Sequence, residues 1–176
     1  GTATRDLDCD NGSISSRMKE AQVMTTTEFR YCIVSTKQLA EIMRIERASY
    51  PEPWKEKEMR QLLTAPEYFG VGAFAGMQLV GYAIWASHDT KIILHNIAVD
   101  PEYRRQGVGR GIVEWLRQKV LQTTRRKWIE IVVSELNLAA LCFFRATGFR
   151  AVWTMKNHFK DQRDAYLMTW RRPRNS

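Results

Sequence analysis

A mixed α/β (α+β) domain is the fold class this sequence predicts, and three observations carry it. Apolar residues alternate along some segments and recur with a helical period along others. Those segments run strand, two helices, three strands, helix, strand, helix, two strands, an order that suits a mixed, mostly antiparallel sheet flanked by helices. Gly, Pro and Ser mark the joints between them. At 176 residues one core is sufficient. The expected organisation is a flexible leader over 1–26, rich in Asp, Ser and Thr, one domain over 27–171, and a basic tail over 172–176.

Each element has its own local signal. FRYCIVS from Phe29 alternates as a strand, and Ser35 with Gln38 three residues on forms a capping-box signature. The helix it opens runs to about Ser49, its period set by Leu39, Ile42, Met43 and Glu46. YPEPW at 50–54 breaks it, because Pro disfavours helix in the residue before it, and KEKEMRQLL starts a second helix. YFGVGAFAG and QLVGYAIWASH read as strands joined at a Gly76 turn, and KIILHNIAV as a third. A helix from about Gly107 to Gln122 carries Ile112, Val113, Leu116 and Val120 on one face. KWIEIVV is a strand, NLAALCFFRATGF a helix capped by Asn137 and stopped by Gly148, and RAVWTMKNHF and AYLMTW are the last strands.

Composition excludes several classes. No run reaches the roughly 18 apolar residues a membrane helix needs. Cys9, Cys32 and Cys142 are odd in number and unpatterned, which suits a reducing, cytoplasmic compartment. Scattered His88, His95 and His158 offer no metal spacing, so no metal is expected. The net charge of +8 favours acidic partners, yet the excess is dispersed through RRQGVGR, TTRRK and RRPRNS. With no aromatic-interleaved motif, direct nucleic-acid binding is not expected.

The segment AVDPEYRRQGVGRGIVEWL, 98–116, carries the chemistry. It lacks the third glycine of a dinucleotide fingerprint and the Gly-Lys-Ser/Thr of a Walker loop. What remains is a strand, a Pro101 turn and a glycine loop meeting a helix N-terminus, whose free N–H groups and dipole bind an anion. Gly107 and Gly109 allow close backbone approach, and Arg104, Arg105 and Arg110 add cations.

Arg104-Arg105-Gln106-Gly107-Val108-Gly109 resembles the Gln/Arg-x-x-Gly-x-Gly/Ala signature of the GNAT superfamily of acetyl-CoA-dependent N-acetyltransferases, and NLAALCFFRATGF resembles its second block. The resemblance runs from about Phe29 to Trp170 and is nearest to the bacterial ribosomal-protein-alanine N-acetyltransferase group. It implies the GNAT fold, a sheet of about six to seven strands with about four helices. It also implies acetyl-CoA as cofactor, its pantetheine arm pairing with the backbone of Ile97, Ala98 and Val99 and its pyrophosphate held between Arg105 and Arg110, with Asn137 and Phe144 nearby. The family's general acid, a Tyr four residues before the Gly of Gly-Phe, is replaced by Phe144. Its general base, a Glu sixteen residues before that Gly, falls on Val132. Glu130, on the same strand face, is the first substitute base, with Glu135 and His95 behind it.

The resemblance implies a protein N-terminal α-amine as acceptor, and amine pKa values agree with it. Near pH 7 an α-amine (pKa about 7.7–8.0) is roughly a tenth free, a deficit of about 1.4 kcal/mol, against about 4.6 kcal/mol for a Lys amine (pKa about 10.4). A weak base therefore favours an α-amine or another low-pKa amine, and the resemblance points to a protein N-terminus, a ribosomal protein being one such acceptor. A small-molecule amine and a non-catalytic acyl-CoA-binding module are the alternatives. In the family the acceptor enters between the first interhelical loop and the last hairpin, which implicates Tyr50, Trp54 and His158. Monomer and dimer stay open.

Overall fold

The computed structural model describes residues 28–173. The leader expected over 1–26 and the end of the basic tail lie outside them. Seven strands and four α-helices follow the expected order: β1 Phe29–Val34, α1 Leu39–Ser49, α2 Glu56–Thr64, β2 Tyr68–Ala75, β3 Gln78–Ser87, β4 Lys91–Val99, α3 Val108–Leu121, β5 Trp128–Ser134, α4 Leu138–Ala146, β6 Arg150–Met155 and β7 Ala165–Arg171. Short 3-10 turns at Thr36–Gln38 and Pro101–Tyr103 precede α1 and the phosphate-type loop.

Local signals act where the sequence places them. Ser35 accepts from Lys37 N–H while Gln38 accepts from Ser35 N–H, closing the capping box. Gly148 takes φ +86° after α4, and the N–H groups of Gly148 and Phe149 bond the carbonyls of Arg145 and Phe144. Those two bonds make a complete Schellman motif.

The sheet order is β1-β2-β3-β4-β5-β7-β6. Every neighbouring pair is antiparallel except β4 with β5. One face packs on α3 and α4 through Val80, Ile92, Ile112, Leu116 and Phe144. The other packs on α1 and α2 through Leu39, Ile42, Met43, Met59 and Leu79. Ile112 and Leu116 are fully buried, each contributing about 1.5–3 kcal/mol relative to an exposed side chain.

Two irregularities of β4 shape the middle of the sheet. Leu94 pairs with Trp85 and Asn96 with Ile84, so His95 is the extra residue of a β-bulge. Before the bulge Ile92 and Leu94 face α3; after it Asn96 and Ala98 face α1 and Ile97 and Val99 face α3. The parallel pairing with β5 is limited to Lys91–Ile93 against Trp128–Glu130. Beyond those three residues β4 and β5 diverge and leave a wedge-shaped gap in the sheet.

Candidate functional site

The gap and the glycine loop are continuous. Successive residues of a strand turn their N–H and C=O groups to alternate edges. Asp100 N–H bonds Val80 on the β3 side, so Ile97 and Val99 face the gap. Their carbonyls accept from the Tyr50 hydroxyl (2.5 Å) and from Arg104 Nε (3.1 Å), and their N–H groups lie on the same edge. Ala98 is 5% exposed and its backbone faces β3.

At the loop, Asp100 accepts from Glu102 N–H (3.1 Å) and from Arg44 (2.5 Å). Burial works to raise this carboxyl, but the Arg44 hydrogen bond and charge and the Glu102 N–H outweigh it and hold it below the usual carboxylate range. Arg105 at φ +62° and Gly107 at φ +91° turn the chain into α3. The first helical bond is Gly111 N–H to Gly107 C=O, so the N–H groups of Val108, Gly109 and Arg110 point out of the helix start without an intrahelical acceptor.

The glycines divide by role. A Cβ on Gly107 would meet nothing within 4 Å, so the backbone there faces open space, whereas one on Gly109 would sit 3.2 Å from the Phe143 ring. One on Gly111 would collide with the Tyr31 hydroxyl. Gly109 thus answers to helix packing, where a Cβ would press on the Phe143 ring, and close approach to a ligand belongs to Gly107. An outward-facing turn of amides suits a pyrophosphate, and an open strand edge suits a chain of amides; both fit the two ends of coenzyme A.

The sequence-derived residues distribute unevenly around this frame. Arg104 turns back onto Val99 and Ser49. Gln106 Nε2 donates to the Glu102 carbonyl (2.9 Å). Arg105 and Arg110 form no ion pair among the described residues. Asn137 caps α4 by accepting from Ala140 N–H (3.1 Å). Phe144 is 1% exposed and packs edge-on against Phe143 and Phe149, each at 5.1 Å. This corrects its expected place beside the cofactor: an apolar ring on that turn of α4 is drawn into the core.

Glu130 pairs across the closed end of the gap with Ile93 and is gripped by Lys91 Nζ (2.7 Å) and Trp128 Nε1 (3.1 Å). Val132, on the same face, is 38% exposed. His95 projects from the bulge, exposed, with its ring edge-on to Tyr68 at 5.0 Å. Desolvation of the ring where it packs on Tyr68, and then the nearby His88, lower its pKa and favour the neutral imidazole. Glu135 is occupied elsewhere, accepting from Asp164 N–H (2.9 Å) and so tying the β5–α4 loop to the last hairpin. His158 lies on that hairpin against Phe159, and Lys156 and Asn157 N–H both bond Asp164.

Beneath the site lies a network whose partners the sequence did not reveal. Glu46 of α1 is fully buried. Its Oε1 accepts from Trp54 N–H (3.0 Å), and its Oε2 accepts from Asn96 Nδ2 (3.0 Å) and from the Tyr82 hydroxyl. Burial and this carboxylate push the Tyr50 and Tyr82 phenols far above their ordinary pKa. The visible signal was a carboxylate on the apolar stripe of Leu39, Ile42 and Met43. Tyr82 and Asn96, its partners in β3 and β4, are brought to it only by the fold.

The model of the acetyltransferase (GNAT) family matches residues 39–149. The N-alpha-acetyltransferase RimI of Mycobacterium tuberculosis is 30% identical over 122 residues, 66% of this chain and 75% of that protein. The [ribosomal protein bS18]-alanine N-acetyltransferase of Escherichia coli is 27% identical over 139 residues, 77% of this chain and 92% of that protein. The crystal structure of the Escherichia coli ribosomal-protein-alanine N-acetyltransferase superposes with a TM-score of 0.75 at 24% identity, covering 85% of this chain and 97% of that one.

Proposed function

The chain belongs to the acetyltransferase (GNAT) family, and from that premise we propose that its acceptor is the α-amine of a protein N-terminus, a ribosomal protein being the first to test. It is an N-acetyltransferase that uses acetyl-CoA. The observation that carries the reading is the gap between β4 and β5 leading into a turn of outward amides. Acetyl-CoA supplies a thioester whose carbonyl carbon the amine attacks; the C–N bond forms, the C–S bond breaks, and the thiolate leaves.

The chain's own groups then divide the work. The N–H groups of Val108, Gly109 and Arg110 hold the pyrophosphate, with Arg105 and Arg110 adding charge. Ile97 and Val99 present a strand edge to the pantetheine arm, with Arg104 and Tyr50 bracing it. Glu130 takes the amine proton through water. A carboxylate has about four lone-pair sites, and Lys91 and Trp128 engage two of them while fixing its orientation. His95, two strand positions past Ile93, is the second proton acceptor on the same face. Leaving-group protonation falls to solvent, a loss of about 10²–10⁴-fold at most. Tyr50, Trp54 and His158 wall the acceptor side.

The test compares CoA release from acetyl-CoA with an Ala-starting peptide and with the same peptide blocked at its α-amine and carrying one Lys. The difference of about 3.2 kcal/mol in deprotonation cost predicts a preference of about 200-fold for the free α-amine near pH 7. Equal rates, or turnover confined to small amines such as aminoglycosides, would overturn the assignment.

A further inference from the structure

The cations that look dispersed in the sequence converge in the fold at the end of the sheet remote from the phosphate loop. The segment after α3, TTRRK, lies against the end of β7: Arg172 N–H bonds the Lys127 carbonyl (2.8 Å), and an Arg172 guanidinium N–H bonds the Thr123 carbonyl (2.7 Å). This gathers Lys119, Arg125, Arg126, Lys127, Arg171 and Arg172, and none of the six has a carboxylate partner among the described residues. The acids nearby are few. Glu114 and Glu130 are taken by Arg117 and Lys91, and Asp89 and Glu67 on the adjoining turns form no ion pair among the described residues; Thr90 C=O accepts from Lys127 N–H and Glu67 C=O from Ser87 N–H.

The coenzyme does not account for this cluster, because it sits at the C-terminal end of α3. That helix has 14 residues, which at about 1.5 Å each puts the cluster about 20 Å from the loop. Indole rings lie among the cations: Arg171 covers Trp128 (5.4 Å) and Lys119 covers Trp115 (4.6 Å). Trp128 and Trp115 are half-buried, each with its own cation over the ring. Six cations without a carboxylate partner among the described residues, two of them over indole rings, suit a strand of phosphates that carries stacking bases.

We propose that this end of the domain, formed by the 123–127 loop, the last turn of α3 and the end of β7, binds single-stranded nucleic acid. Lys119 over Trp115 is a pair one turn apart within α3, whereas Arg171 over Trp128 is made by the fold, which lays β7 against β5. The proposal does not rest on the identity of the acceptor.

Fluorescence anisotropy of a labelled RNA or DNA strand of about 20 nucleotides against the whole chain tests it, with Lys119→Glu, Arg125→Glu and Lys127→Glu combined as the variant. Each phosphate contact on a single strand contributes about −0.7 to the slope of log K against log salt, so three lost contacts flatten it by about 2 and weaken binding about a hundredfold at 0.1 M salt. The variant should retain acetyl transfer to a free peptide, which reports that it is folded, and saturating CoA should leave the strand bound to the native chain. Four results would each overturn the proposal: no binding of either strand at about 50 mM salt, a variant within threefold of the native chain, displacement by CoA, or equal binding to phosphatidylserine vesicles.

Discussion

Replacing Glu46 tests the buried network most directly. Its two oxygens receive three donors, Trp54 N–H, Tyr82 hydroxyl and Asn96 Nδ2, at a position with no solvent exposure. In Glu46→Gln the amide keeps one acceptor oxygen. If that oxygen faces Tyr82 and Asn96, the NH₂ group faces Trp54 N–H, donor against donor. One buried donor is stranded, at a cost of about 1–3 kcal/mol. Glu46→Ala strands all three and opens a cavity, which raises the loss to about 4–6 kcal/mol, comparable to the whole stability of a marginal domain. Tyr82→Phe, which removes the donor to Glu46 and the acceptor of the second Asn96 Nδ2 hydrogen, should cost about 1–3 kcal/mol. Urea unfolding followed by tryptophan fluorescence measures all three variants. The reasoning fails if the Ala variant lies within about 1 kcal/mol of the native chain, or if Gln is as damaging as Ala.

Three further outcomes are expected. Glu130→Gln should lower kcat/KM for an α-amine peptide by about 10²–10⁴-fold with little change in acetyl-CoA affinity, while an equal loss in His95→Phe alone would move the proton to the bulge residue. Gly109→Ala pushes on the Phe143 ring across 3.2 Å, whereas Gly107→Ala places a side chain at φ +91°, a strain of about 1–2 kcal/mol; calorimetry should show weaker CoA binding in both, accompanied by a lower melting temperature. Asp100, held below the usual carboxylate range, contributes stability that is complete above the unfolded carboxyl's pKa near 4 and is lost as pH falls through its lower folded value. Unfolding of Asp100→Asn between pH 2 and 4 should therefore show a flatter pH dependence than the native chain.

The order of the strands and helices was legible in the sequence because each is a local matter of period, cap or turn: Ser35 and Gln38, Gly76, Asn137 and Gly148 act within a few residues of themselves. The loop was legible for the same reason, although its second glycine answers to Phe143, a residue 34 positions away. Illegible were the features that depend on what a strand is paired with. The divergence of β4 from β5, the bulge at His95 and the grip of Lys91 on Glu130 are all cross-strand facts. Glu46 announced itself by sitting in an apolar stripe, but its partners lie 36 and 50 residues downstream. The charge excess was read as scattered because the backbone bond joining Lys127 to Arg172 spans 45 residues of chain.

The insertion of β7 between β5 and β6 has a temporal side. Strand β5 forms one wall of the gap, and until β7 arrives its outer edge, Trp128 through Ser134, has no hydrogen-bonding partner there. A chain growing from its N-terminus completes the glycine loop, α3 and β5 while the strand that secures that wall is still being synthesised. Donor binding in its finished form therefore waits on Ala165–Arg171, made after the other six strands of the sheet, and the same segment delivers Arg171, with Arg172 next to it, to the opposite end of the sheet. The wall of the gap and the basic end thus mature together, when β7 docks.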